Sequence, residues 1–228
     1  MTRTPDLIDA LVECGTPVQR LRPPLVRAGL WLAFAAAVVV LLTTLHGVRP
    51  DLAERLQEPM FCTGMAAAVV TGILAAVASF MLSLPDRSRL WILLPAPALA
   101  VWVSSVGYGC LTDWVSINPD GLHFGQAIKC FATVLLTSAP LSLAMLVMLR
   151  YAALLRTHTV TMMGGLAVAA LTSSTLVLIH DIDATLMILI WNLGAAAVIV
   201  WISGHFGQKA FSWVASRLPT IPTDALRR

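Results

Sequence analysis

Charge is what this chain has least of. Only 12% of its 228 residues are Asp, Glu, Lys or Arg, against roughly 25% in soluble globular domains, which excludes an ordinary water-soluble fold. The scarcity is also local, because no ionisable side chain falls at the centre of any long apolar run. Ion-coupled carriers and intramembrane enzymes do their work at such residues, so neither class finds support. A Gly-x-Ser-x-Gly elbow, a His-Glu-x-x-His zinc helix and a phosphate-binding loop are all absent, and the four cysteines include no Cys-x-x-Cys pair. The chain is therefore expected not to be an enzyme.

What is present is hydrocarbon. Hydrophobic residues make up 58% of the chain, and six stretches reach the roughly 20 apolar residues that a membrane-crossing helix needs: residues 25–45, 60–84, 90–108, 127–149, 160–179 and 184–203. The expected fold is an all-α integral membrane protein, a six-transmembrane-helix bundle spanning residues 25–206. It follows an N-terminal tail of residues 1–24 and precedes a basic C-terminal tail of residues 207–228. Asp6, Asp9, Glu13, Arg20 and Arg22 precede the first apolar run, unlike a cleaved signal peptide, so the tail is expected to stay in the mature protein.

Basic residues resist translocation and set orientation. Six spans put both termini on one side, with Arg3, Arg20, Arg22, Arg27, Arg87, Arg89, Arg150, Arg156, Lys209, Arg217, Arg227 and Arg228, whereas the other side holds Arg49, Arg55 and Lys129. Twelve against three predicts that both termini are cytosolic. It also accounts for the basic residues without a direct nucleic-acid partner; the lipid bilayer is the first partner expected.

The tail carries the marks of a short cytosolic amphipathic helix. Thr4 suits its cap, Pro5 its first position, Asp6 its dipole, and Gly15 with Pro17 ends it. Leu7, Ile8, Leu11 and Val12 fall on one face. A helix of about ten residues is marginal alone in water, so this stripe calls for a surface to dock on, the membrane or bundle being the plain option. Further on, residues 49–59 predict a short interfacial helix. Gly64 and Gly72 predict close helix packing, Pro95 and Pro97 a kink early in the third span, and Pro140 an irregularity in the fourth. The cluster Thr172-Ser173-Ser174-Thr175 is expected to bond back to carbonyls of its own helix or across to another.

The longest polar interruption, residues 107–130, contains Cys110, His123, Cys130 and the turn Asn118-Pro119-Asp120-Gly121. His46, Cys62, Cys110, His123, Cys130, His180, Asp181 and Asp183 are all predicted at the outer face, and only Cys14 is cytosolic. Thiolates with imidazoles suit Zn²⁺ or Cu⁺, Cys110 and Cys130 are placed for a disulfide in an oxidising compartment, and buried thiols also serve as small inert apolar groups. All three readings stand on the residues alone. No cofactor is expected beyond a regulatory metal ion at that face. The third and fourth spans, joined by this loop, are expected to be antiparallel neighbours.

Taken in order, Asp6-Leu7-Ile8-Asp9-Ala10-Leu11, Pro17-Val18-Gln19-Arg20-Leu21-Arg22-Pro23-Pro24, Arg49-Pro50-Asp51-Leu52, Pro85-Asp86-Arg87-Ser88-Arg89, Gly109-Cys110-Leu111-Thr112-Asp113-Trp114, Cys130, and His180 before Trp191 resemble the NrsF-type anti-sigma factors over nearly the whole chain. The resemblance implies a six-span inner-membrane protein that holds an extracytoplasmic-function (ECF) sigma factor inactive until metal or oxidative stress releases it. It implies sigma-factor binding through Leu7, Ile8, Leu11, Val12, Arg20 and Arg22, and sensing through Cys110, Cys130, His123, His180 and Asp181. One position departs from the pattern: where family members often carry His-Cys after the fifth span, this chain has His180-Asp181. Either Cys110 and Cys130 suffice, or Asp181 serves as a harder metal ligand, or sensing here differs. The alternative function is a transporter or channel for a metal ion or small solute, with the hydroxyls of the fifth span as its polar candidates.

Overall fold

Proline and glycine mark several of the helix boundaries. The computed structural model describes residues 22–113, 124–149 and 157–179. Helix α1, Pro24–His46, starts with proline in its first turn, where the missing N–H is no loss. It stops at Gly47, whose φ of 82° lies in the left-handed region that only glycine adopts cheaply. A single turn, α2 (Leu52–Arg55), leads to α3 (Pro59–Leu82), again opened by proline. After a tight turn, the Ser88 side chain accepts a hydrogen bond from the Leu90 amide (3.2 Å) and starts a 3-10 turn, Arg89–Leu93. Helix α4 (Ala96–Asp113), α5 (Phe124–Leu149) and α6 (Thr157–Ile179) follow.

Five of the expected spans are thus helices long and apolar enough to cross a membrane, and no strand occurs among the described residues. The sixth expected span (184–203), the tail helix and the C-terminal tail lie outside the described residues. The third span is not one continuous helix: it breaks between the 3-10 turn and α4, where Pro95 and Pro97 supply no amide donors.

The helices run up and down. Arg27, Phe80, Met148 and Val160 meet at one end, and the Arg49 amide bonds the Leu178 carbonyl (3.0 Å) at the other. We call these the tail end and the loop end. Apolar side chains gain little by leaving hydrocarbon for protein, so helices in lipid associate through close contact and hydrogen bonds. The central pair, α3 and α6, obeys this: α3 buries Ala67, Ala68, Thr71, Gly72, Ala75, Ala76 and Ser79. A Cβ added at Gly72 would lie 2.9 Å from Leu171 Cγ, so the close approach needs glycine. Helix α1 lies across α3, α5 and α6, while α4 packs on α3, with Gly64 facing the Ser105 side chain. Helices α4 and α5 are not among the extensive helix pairs of the described residues. Among the described residues the main neighbour of α4 is α3, where the backbones approach at Gly64.

Candidate functional site

Two buried arginines bracket α1. At the tail end Arg27 sits in the first helical turn, 6% exposed. Its Nη2 donates to the backbone carbonyl of Met148 on α5. The guanidinium also lies 5.2 Å from the ring centroid of Phe80 on α3, within reach of a cation–π attraction. One turn along α1, the fully buried Trp31 donates from Nε1 to the Leu141 carbonyl of α5 (3.2 Å). Positions 27 and 31 share a helix face, so both grip the same neighbour. Nearby, Ser79 Oγ donates to the Val160 carbonyl (3.0 Å) and ties α3 to α6. Arg22, just ahead of α1, is exposed.

At the loop end Arg49 is 5% exposed and forks onto Asp51, with Nε to Oδ1 and Nη2 to Oδ2 both at 2.6 Å. This two-pronged geometry is the strong form of a charge-assisted bond. The Arg49 hydrogen bond holds the Asp51 carboxyl below its ordinary range, with the Coulombic pull of Arg49 and Arg55 acting in the same direction. Arg55 pairs with Asp51 (3.8 Å) and Glu58 (3.2 Å) in more open positions, where ion pairs contribute little. The expected interfacial helix is therefore the single turn α2, preceded by a buried arginine.

The other expected site residues distribute as follows. Cys110 lies in the last turn of α4 and Cys130 in the second turn of α5, both toward the loop end of the bundle. Leu7, Ile8, Leu11, Val12, Arg20, His123, His180 and Asp181 fall outside the described residues. His46 Nδ1 lies 3.1 Å from the Leu42 carbonyl, and the Cys62 thiol donates to Leu56 O at 3.1 Å. No group of three metal-ligating side chains occurs among the described residues. In α6, Ser174 and Thr175 bond back to Ala170 O (3.0 Å) and Leu171 O (2.8 Å), as the cluster predicts. Thr71 and Thr137 do likewise in their own helices. These hydroxyls spend their protons on backbone, which suits packing better than a solute path. Thr172 Oγ1 is buried without a hydrogen-bond partner among the described residues.

Sequence reasoning passed over Arg27, Trp31 and Arg49, treating the arginines as topology markers and the tryptophan as part of an apolar run. The available signal was an arginine one helical turn inside an apolar span, followed by tryptophan four residues on.

Compared with known proteins, residues 11–213 match the family model NrsF, described as negative regulator of sigma F. No curated protein and no solved structure matches the chain.

Proposed function

The chain belongs to the NrsF family, negative regulators of sigma F, and on that premise we propose that it is an inner-membrane anti-sigma factor. Its cytosolic N-terminal tail holds an ECF-type sigma factor, and a metal or oxidative signal at the outer face releases it. The observation that carries this reading is the family match across residues 11–213, which takes in most of the helical body as well as Leu11 and Val12 of the tail. The five apolar helices support a membrane location. Support for the sidedness comes from the tail end, where exposed Arg22, Arg87 and Arg89 gather, as basic residues do on a cytosolic face.

In this reading the sigma factor covers Leu7, Ile8, Leu11 and Val12, with Arg20 and Arg22 flanking. Each such apolar side chain contributes about 1.5–3 kcal/mol of transfer free energy when fully covered, less the cost of ordering the tail. Two or three of them decide between capture and release. Cys110 and Cys130 belong to the loop-end sensor, with His123, His180 and Asp181 as its remaining candidates, and a regulatory metal ion or an oxidant as the input.

The test is capture of the sigma factor by the detergent-solubilised full chain, by a form lacking residues 1–24, and by Leu11→Asp. Capture by the full chain alone is expected, with Leu11→Asp raising sigma-dependent transcription in cells while its membrane level stays normal. A full chain that captures no sigma factor would refute the reading. Equal capture by all three would remove the tail from it.

A further inference from the structure

The two bonds from α1 to α5 are placed unlike the rest of the bundle's contacts. Arg27 and Trp31 both donate to backbone carbonyls of one short segment, Leu141–Leu149, at the tail end of α5. That segment begins immediately after Pro140, the one proline inside α5. Proline has no N–H to hold the carbonyl of Leu136 and its ring crowds that carbonyl, so a helix bends most readily there. Helix α5 therefore has two parts: a loop-end part that includes Cys130, and a tail-end part held by α1. The first turn of α1 is continuous with Arg22 and with the tail that precedes it.

We infer that Arg27 and Trp31 form a clamp coupling the position of α5 to the tail that holds the sigma factor, with Arg27 as the positioning residue. This rests on the function proposed above and adds the residues through which the signal passes. The clamp has the property a switch needs. Both donors are buried side chains of α1, and both acceptors are backbone carbonyls of the tail-end part of α5. If the tail-end part of α5 turns or slides, the Met148 carbonyl is carried away from the guanidinium. A buried guanidinium without an acceptor is costly, so the first turn of α1 must follow α5 or open toward water. Either response moves the root of the tail.

The full-length chain is reconstituted in nanodiscs. Capture is measured with the purified sigma factor that co-purifies with the wild-type chain in its own host, and a sigma-dependent reporter is read in cells without stress. Four variants are compared with wild type: Arg27→Gln, Arg27→Lys, Trp31→Phe and, as a control, Ser79→Ala, which removes an equally buried tail-end bond between α3 and α6 but leaves the clamp intact. Arg27→Gln is expected to weaken capture about tenfold, within the usual range of coupling between sites, and to raise the unstressed reporter. Arg27→Lys keeps a donor and a positive charge and should restore most of the capture. Trp31→Phe, which keeps an aromatic ring but loses the N–H and part of the ring system, should show the same defect in smaller degree. It decides the matter if Arg27→Gln fails to accumulate. Ser79→Ala should capture as wild type does. Wild-type capture in Arg27→Gln, or in Trp31→Phe where that variant must decide, would overturn the inference and leave the proposed function standing. So would equal losses in Ser79→Ala and Arg27→Gln, which would mark a general loosening of the bundle. A wild-type chain that captures no sigma factor would overturn the function, and the clamp's role with it.

Discussion

Arg27 and Arg49 stand at the two ends of α1, both buried, and are satisfied by different chemistry. Arg27 donates a hydrogen bond to a neutral backbone carbonyl and rests on an aromatic ring, and no carboxylate pairs with it among the described residues. Arg49 is forked onto a carboxylate that is itself over a third exposed. A carbonyl and a ring do not titrate or bind metal in the physiological range, so the Arg27 contact answers to movement. The loop end has a carboxylate, a thiol at Cys62 and an imidazole at His46 within reach of solvent chemistry, and Cys110 and Cys130 lie in the helix turns toward it. Under the proposed function, this division suits a protein whose input is chemical on one side and mechanical on the other.

The largest effect expected is the loss of response when that input is removed. A Cys110→Ser, Cys130→Ser double variant should still repress its sigma factor but fail to release it on exposure to oxidant or cadmium, read with a sigma-dependent reporter. A normal response would transfer the sensor to His123, His180, Asp181 and Asp183 and dissolve the contrast between the ends as drawn.

A second experiment asks whether the ends differ or simply share the strength of the middle. Gly72→Leu forces a side chain into Leu171, where even a Cβ would be 2.9 Å away, and overpacking of this kind costs about 1–3 kcal/mol. Detergent melting should show the loss, and hydrogen exchange should rise at both ends together. A rise confined to one end would mean that α3 and α6 do not form the common core.

The smallest effect is a titration. Asp51 has a folded-state pKa below its unfolded one because Arg49 bonds the charged form. The stabilisation is therefore fully present above the ordinary carboxylate value, near 4, and is lost as pH falls from there through the lowered value. Amide exchange around Arg49, whose N–H bonds the Leu178 carbonyl, should quicken in that acid window and stay flat from pH 5 to 8, while amides of the last turn of α5 do not change. Asp51→Asn should abolish the dependence.

Much of this architecture was legible because it is local. An apolar run of about 20 residues with proline at its start and glycine or a polar turn at its end specifies a helix without reference to anything distant. The limits of α1 and α3 lie within two residues of those expected. The third span departs because two prolines within three residues break a helix rather than bend it. The clamp was not legible: Arg27 meets a carbonyl 121 residues away, and a backbone acceptor has no side-chain signature to read. Arg49 misled for a related reason, since a basic residue beside Pro50 and Asp51 has the pattern of an exposed loop while its burial is decided by the end of α6. The cysteines could be assigned to the ends of helices from hydropathy alone. Their helices' neighbours could not, because small residues such as Gly64 choose partners by shape.

The account depends most on the tail end lying inside the cell and the loop end outside. Membrane-impermeant thiol labelling of intact cells tests it directly, using Glu54→Cys in α2 and Asp86→Cys in the turn after α3, both exposed positions, against the parent chain. Labelling above the parent at position 54, and at position 86 only after the membrane is opened, is the predicted result. Labelling of position 86 in intact cells, with none at 54, would place Arg22 and the tail outside, away from any sigma factor, and would contradict the account.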